Sequence, residues 1–130
     1  MRVLHVVTGL QKASGVTTFV ENVVRVSSEL GHTVDVVTQM DVIPPLAGCD
    51  IIHIHGLWSL WLHKVARKAC RLARSGGANR PRIVWSTHGM TAPWSLGHKW
   101  WKKCLYWLLI QKPDLKRAVL IHSTVEKERA

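Results

Sequence analysis

Cysteine is scarce and unpatterned in this chain of 130 residues. Cys49, Cys70 and Cys104 are odd in number, and no two of them stand as a CxxC pair. That argues against a disulfide framework and against a cysteine-based zinc site, and leaves three ordinary thiols. Long apolar runs are missing too: none approaches the roughly 18–20 residues that a membrane-spanning helix needs. The start, Met1-Arg2 followed by a short apolar run to Thr8-Gly9, lacks the long apolar core and small-residue cleavage site of a secretory signal. A cytoplasmic protein is expected. There is no internal repeat, no low-complexity segment and no G-x-G-x-x-G dinucleotide fingerprint, which disfavours a nicotinamide or flavin cofactor.

Acidic side chains are also few, 8 against 18 Lys and Arg, for a formal charge of +10. The imbalance is lopsided. Residues 1–60 hold three basic and five acidic side chains, whereas residues 61–130 hold fifteen and three, a net of +12. A basic half implies an anionic partner: lipid headgroups, nucleic acid or a phosphorylated substrate.

What is present reads as alternating strands and helices. Residues 2–8, 33–38, 50–55, 82–87 and 118–122 are short, β-branched, apolar runs, which predict five strands. Val16, Phe19, Val20, Val23, Val26 and Leu30 recur at helical spacing, with Thr18 and Glu21 as a capping box and Gly31 as the stop. A second amphipathic helix is predicted over 57–75. A third is predicted over 99–112, broken by Pro113-Asp114, and a helix start over 123–130. Strands apolar along their whole length imply a parallel sheet covered on both faces. The expected fold is therefore α/β, a Rossmann-like three-layer sandwich with a mostly parallel sheet of about five strands. The expected strand order is 3-2-1-4-5 or a shortened version of it. A helix start at the last residues suggests a domain incomplete at its C-terminus, with one face or edge left bare.

In such sheets ligands bind beyond the carboxyl ends of the strands. Three segments fall there. The loop over 8–15 brings Ser14 and Gly15 to a helix N-terminus, where backbone N–H groups and the helix dipole favour an anion. His53, Ile54, His55 and Gly56 end the third strand, and His53 and His55 share one face. Such a pair binds a metal only if further ligands arrive, so no metal is expected, and His53 reads as a core histidine. Thr87-His88-Gly89-Met90 ends the fourth strand with an imidazole beside a tight turn.

Taken in order, RVLHVVTGL…SGV, ELGHTVDVVT, DIIHIHGLW, STHGMTAPW and VLIHSTVEKE resemble the N-terminal half of retaining glycosyltransferases of the two-Rossmann (GT-B) architecture, in the large family four. The resemblance covers nearly the whole chain. It implies that residues 1–130 are part of the acceptor-side domain, with the donor-binding half absent and the fragment inactive alone. The full enzyme would move a sugar from a nucleotide-sugar to a glycan or lipid-linked acceptor with retention, using no cofactor beyond the donor. His88 matches the histidine that lies against the donor sugar. Ser14 and Gly15 would approach donor phosphates or acceptor, and His55, Gly56 and Gly89 would line the same cleft. Ser14 stands where the family often has a first glycine.

The basic residues form two groups. Lys64, Arg67, Lys68, Arg71 and Arg74 lie on one face of the second helix, and Lys99, Lys102 and Lys103 stand beside Trp100, Trp101 and Trp107. Lysine next to tryptophan suits a headgroup interface, so a peripheral membrane contact is expected. The alternative is a non-catalytic basic module that binds anionic lipid or nucleic acid; nucleic acid is disfavoured because the tryptophans keep core spacing and no nucleic-acid motif is visible.

Overall fold

The fold comes from a computed structural model that describes residues 1–9, 14–38, 40–78, 80–90, 97 and 99–123. Five strands, β1 (Arg2–Val7), β2 (Thr33–Val37), β3 (Ile51–His55), β4 (Arg82–Ser86) and β5 (Leu120–His122), form one sheet. Every pairing is parallel. Helix α1 (Gly15–Glu29) joins β1 to β2, and α2 (Leu60–Arg74) joins β3 to β4. Between β4 and β5 run α3 (Trp100–Tyr106), a π-helical stretch (Trp107–Gln111) and α4 (Lys112–Arg117). This is a Rossmann-like α/β fold.

The strand order is β2-β1-β3-β4-β5, not 3-2-1-4-5. The difference follows from which strand tolerates an edge. β2 carries Asp35 in mid-strand and buries no residue fully, so it fits only the sheet margin, where Asp35 pairs with Arg2 at 3.1 Å. β3 buries Ile52, Ile54 and His55, so it belongs beside β1 in the middle. No helix among the described residues joins β2 to β3. Instead Leu46 and Cys49 of that connection pack into the core, and the Trp61 indole donates to the Val42 carbonyl at 3.0 Å.

Alternation along the strands separates two faces. Leu4, Val6, Ile52, Ile54, Ile83 and Trp85 point to one side and pack against Trp61, Leu62, Val65, Ala66 and Ala69 of α2 and Leu115 of α4. Burying each large member of such a set contributes about 1.5–3 kcal/mol. The opposite face carries His5, His53 and His55 under Phe19 of α1.

Three local expectations are corrected. Helix α1 starts a turn earlier than the Thr18–Glu21 box: Ser14 is the N-cap, and its hydroxyl accepts from the Thr17 amide at 3.1 Å. That hydroxyl satisfies an orphan amide one turn upstream, so Thr18 and Glu21 fall inside the helix. Helix α2 begins at Leu60 rather than 57, because Gly56 and Trp58 take φ of 96° and 62° and Ser59 caps the helix. Finally, Pro113 does not end the third helical segment, which continues to Arg117. A proline ring normally collides with the carbonyl four residues earlier. Here the π-helical stretch just upstream widens the ladder where that collision would fall. Asp114, read as part of the break, is buried instead, bonded to His63 at 2.7 Å and Arg117 at 3.0 Å. The helix start expected over 123–130 lies, but for Ser123, outside the described residues.

Trp85 links this core to the strand ends. It is 1% exposed, and its indole donates to the Gly56 carbonyl at 2.7 Å. Trp85→Phe keeps most of the apolar volume but leaves that carbonyl unpaired. The expected cost is about 1–3 kcal/mol in urea unfolding, with an unchanged denaturant slope.

Candidate functional site

In this strand order the chain leaves β1 in opposite directions, to β2 on one side and β3 on the other. The crevice beyond the carboxyl ends of β1 and β3 is the topological switch point, where open α/β sheets bind ligands. In-register pairing sets His5 of β1 opposite His53 of β3, and Val7 opposite His55. The imidazoles gather on the α1 face. Ring centroids lie 5.0 Å apart for His5 and His53, 5.2 Å for His5 and His55, and 4.1 Å for His53 and His55.

Two hydrogen-bonded chains run through this layer. In the first, Nδ1 of His5 lies 2.9 Å from Nε2 of His55, and Nδ1 of His55 lies 2.9 Å from Nε2 of His88. In the second, the Ser86 hydroxyl lies 2.7 Å from Nε2 of His53 and 3.3 Å from Nδ1 of His122. Phe19 covers both, stacked on His122 with centroids 5.4 Å apart and edge-on to His88 at 5.1 Å. One ring nitrogen from each of His5, His53 and His55 lies within 4.8 Å of the others, a spacing from which three rings can converge on one ion.

Burial keeps these three rings neutral. It drives their pKa values down from the ordinary 6.5 to about 4 for His5, 3 for His53 and 2 for His55, and the neighbouring imidazoles lower the last two further. A neutral imidazole carries one proton and one lone pair, so the layer can relay a proton, orient a hydroxyl or ligate a cation.

The residues expected from sequence at the strand ends are held in tight backbone geometry. His88 and Gly89 follow β4 with φ of 51° and 78°, a left-handed pair that turns the chain back at the sheet rim. His55 is buried at the end of β3, and the Gly56 amide donates to the Ser86 carbonyl at 2.9 Å. At Gly56, with its positive φ, an added Cβ would also stand 3.4 Å from Met90. Ser14 and Gly15 begin α1, with open space around Gly15.

The basic residues lie elsewhere. α2 starts at the carboxyl end of β3 and returns toward the start of β4, so Arg71 and Arg74 stand at the opposite end of the sheet from His88. There Arg67, Arg71, Arg74 and Arg117 line a shallow cleft around Cys70. Lys64 is exposed, while Lys68 is half-buried and donates to the Pro44 carbonyl at 3.3 Å. Lys99 precedes α3 with φ 52°. The Lys102 ammonium sits 5.2 Å above the Trp101 ring, and that of Lys103 sits 5.6 Å above Trp58. Trp100 and Trp101 are exposed rather than packed in the core, whereas Trp107 is half-buried against it.

Sequence reading did not single out His5, Ser86, His122 or Phe19 for the site. A signal was available: four strands place a polar imidazole or hydroxyl at their C-terminal halves, as in LHVV, IHIH, WSTH and LIHS. Which of them meet depends on strand order and register.

Comparison of the chain with family models, with curated proteins and with solved structures found no match. Fold and site together define a Rossmann-like α/β domain with a five-stranded parallel sheet and a histidine-lined switch point.

The neutral rings make stability depend on pH. Their folded pKa values lie below the unfolded value, so the unfolded chain binds more protons below about 6.5. Stability is complete above that pH and is lost as pH falls toward 4. Each ring contributes a slope of up to about 1.4 kcal/mol per pH unit. In chelator-treated protein, unfolding free energy from urea titrations should fall steeply between about pH 6 and 4, and His53→Gln should flatten that slope.

Proposed function

We propose that this chain is the acceptor-side, N-terminal part of a retaining glycosyltransferase of the GT-B architecture, in the large family four. It would act on a nucleotide-sugar and a glycan or lipid-linked acceptor. The observation that carries the reading is the His88–His55 pair. It joins the carboxyl ends of β4 and β3 beside the switch point, in a His-Gly turn whose left-handed backbone holds one imidazole at the rim.

In this reading His88 lies against the donor sugar and orients its hydroxyl groups. His55 bonds the other side of the pair and fixes which ring nitrogen faces the substrate. The Ser14-capped start of α1 favours the donor diphosphate through its backbone N–H groups and dipole. Transfer keeps the anomeric configuration when the leaving diphosphate takes the acceptor proton on the same face of the sugar. The contribution of this half is therefore position and polarisation.

The test is a titration of the whole chain with a panel of nucleotide-sugars and glycan acceptors, read by NMR of the histidine rings and the Gly15 amide. Saturable shifts at His88, His55 and Gly15 are expected for at least one ligand. His88→Asn, which tolerates the left-handed backbone, should weaken that ligand at least tenfold. No shift with any member of the panel would overturn the reading.

A second observation extends it. The outer face of α2 exposes Lys64, Arg67, Arg71 and Arg74, and α3 exposes Trp100 and Trp101 beside Lys102. This combination suits an anionic membrane surface, where each basic residue contributes about 1 kcal/mol. The chain should sediment with vesicles containing anionic phospholipid but not with neutral ones, and less at high salt. Arg71→Gln with Arg74→Gln should lower that partition about thirtyfold. Binding to single-stranded oligonucleotides with none to vesicles would favour the nucleic-acid module instead.

A further inference from the structure

The imidazole layer contains an imbalance that hydrogen bonding among the described residues does not remove. His5, His55 and His88 form a row, and a neutral imidazole has one proton. If His55 carries its proton on Nδ1, it donates to His88 and accepts from Nδ1 of His5. Nε2 of His5 is then a bare lone pair. If His55 carries its proton on Nε2, it donates to His5, and Nε2 of His5 becomes an N–H donor. In both cases Nε2 of His5 is buried with no partner among the described residues, in a residue that is 0% exposed. Leaving such a group unmatched is unfavourable, and apolar side chains would fill the same face of β1 and β3 without that cost.

We propose that His5, His53 and His55 form a binding site for one divalent first-row transition-metal ion, Zn2+ by preference, at the switch point of the sheet. Two arguments carry it. The first is convergence. The three rings come from adjacent, registered strands, with one nitrogen from each within 4.8 Å of the others. Nitrogens bound to a tetrahedral Zn2+ at about 2.0–2.1 Å lie about 3.3 Å apart. The ion would take the place of the 2.9 Å contact between Nδ1 of His5 and Nε2 of His55, which must open slightly while the wider contacts close; Nε2 of His5 then keeps its proton and stays outside the coordination shell.

The second argument is the outer shell. With His55 bound through Nε2, its Nδ1–H donates to Nε2 of His88, the kind of partner that fixes the tautomer of a ligating histidine. Ser86 bonds Nε2 of His53 in the same manner, so His53 would ligate through Nδ1.

An all-imidazole donor set selects Zn2+, Co2+, Ni2+ or Cu2+ over Mg2+ and Ca2+, which want oxygen. Three neutral ligands leave the ion its full charge and a fourth position, the composition of a site able to polarise an oxygen ligand. The site does not rest on the glycosyltransferase reading, and each can fail alone.

The experiment uses the whole chain after chelator treatment, titrated with Co2+ and followed by visible absorption. One equivalent should develop the intense bands of tetrahedral Co2+. Zn2+ should bleach them, and Mg2+ should not. His5→Gln and His53→Gln should each weaken Co2+ at least tenfold, and His32→Gln, which lies outside the imidazole layer, should change nothing. Failure to develop those bands at millimolar Co2+, or retention of full affinity in both variants, would overturn the proposal. Should the variants fail to fold, ring-nitrogen NMR of the unaltered chain decides. Zn2+ should shift His5, His53 and His55 and leave His32 and His63 in place, and the opposite pattern would overturn the site. Loss of metal binding with nucleotide-sugar shifts intact would sink this inference alone.

Discussion

The in-register pairing of β1 with β3 is the constraint on which the rest depends. It sets His5 against His53, brings His55 beside both, and leaves their apolar neighbours Leu4, Val6, Ile52 and Ile54 to the other face. A slip of one residue would turn the histidines into the core and the isoleucines toward α1. The same pairing makes β1–β3 the point where the connections diverge, so the polar layer and the crevice coincide by construction. The proposed cation ligation and the proposed substrate orientation would both draw on this one arrangement of rings.

The two faces of the sheet divide the work. The α2 face is a continuous apolar core that includes Trp85, Trp61 and Leu62, and Trp85 also ties the turn after β3 to β4 through the Gly56 carbonyl. The α1 face buries few apolar groups, and Val20 is the one fully buried residue of that helix. Stability is thus concentrated on one side. The other side carries polar groups whose burial is tolerated because most of them bond one another.

The helical run before β5 shows how one buried polar contact redirects local preference. Pro113 reads as a stop, yet the helix continues. Asp114, held to α2 by His63 and bonded within its own helix by Arg117, fixes α4 against the core beside Leu115, and the π-helical stretch takes up the proline ring. Burial pushes the Asp114 carboxyl upward, while its bonds to His63 and Arg117 pull the other way. Arg117 thereby joins the arginine cleft of α2, a basic surface at the far end of the sheet from the imidazoles. The arginine cleft and the neutral imidazole layer therefore stand at opposite ends of the sheet.

Sequence pattern alone determined the α/β class, the five strands and the placement of His55 and His88 at strand ends, because β-branched runs and helical periodicity are local signals. Ser14 and Gly15 were legible as a helix entry for the same reason, although the capping residue was misplaced by a turn. Tertiary structure alone decided the strand order, since an edge position for β2 depends on what its neighbours bury. It also decided that His5, Ser86 and His122 join the site, that tryptophans at core spacing stand exposed on α3, and that Pro113 is accommodated. Each of these is a long-range pairing. The sequence supplies the side chains for such contacts, but only the packed chain chooses which ones meet.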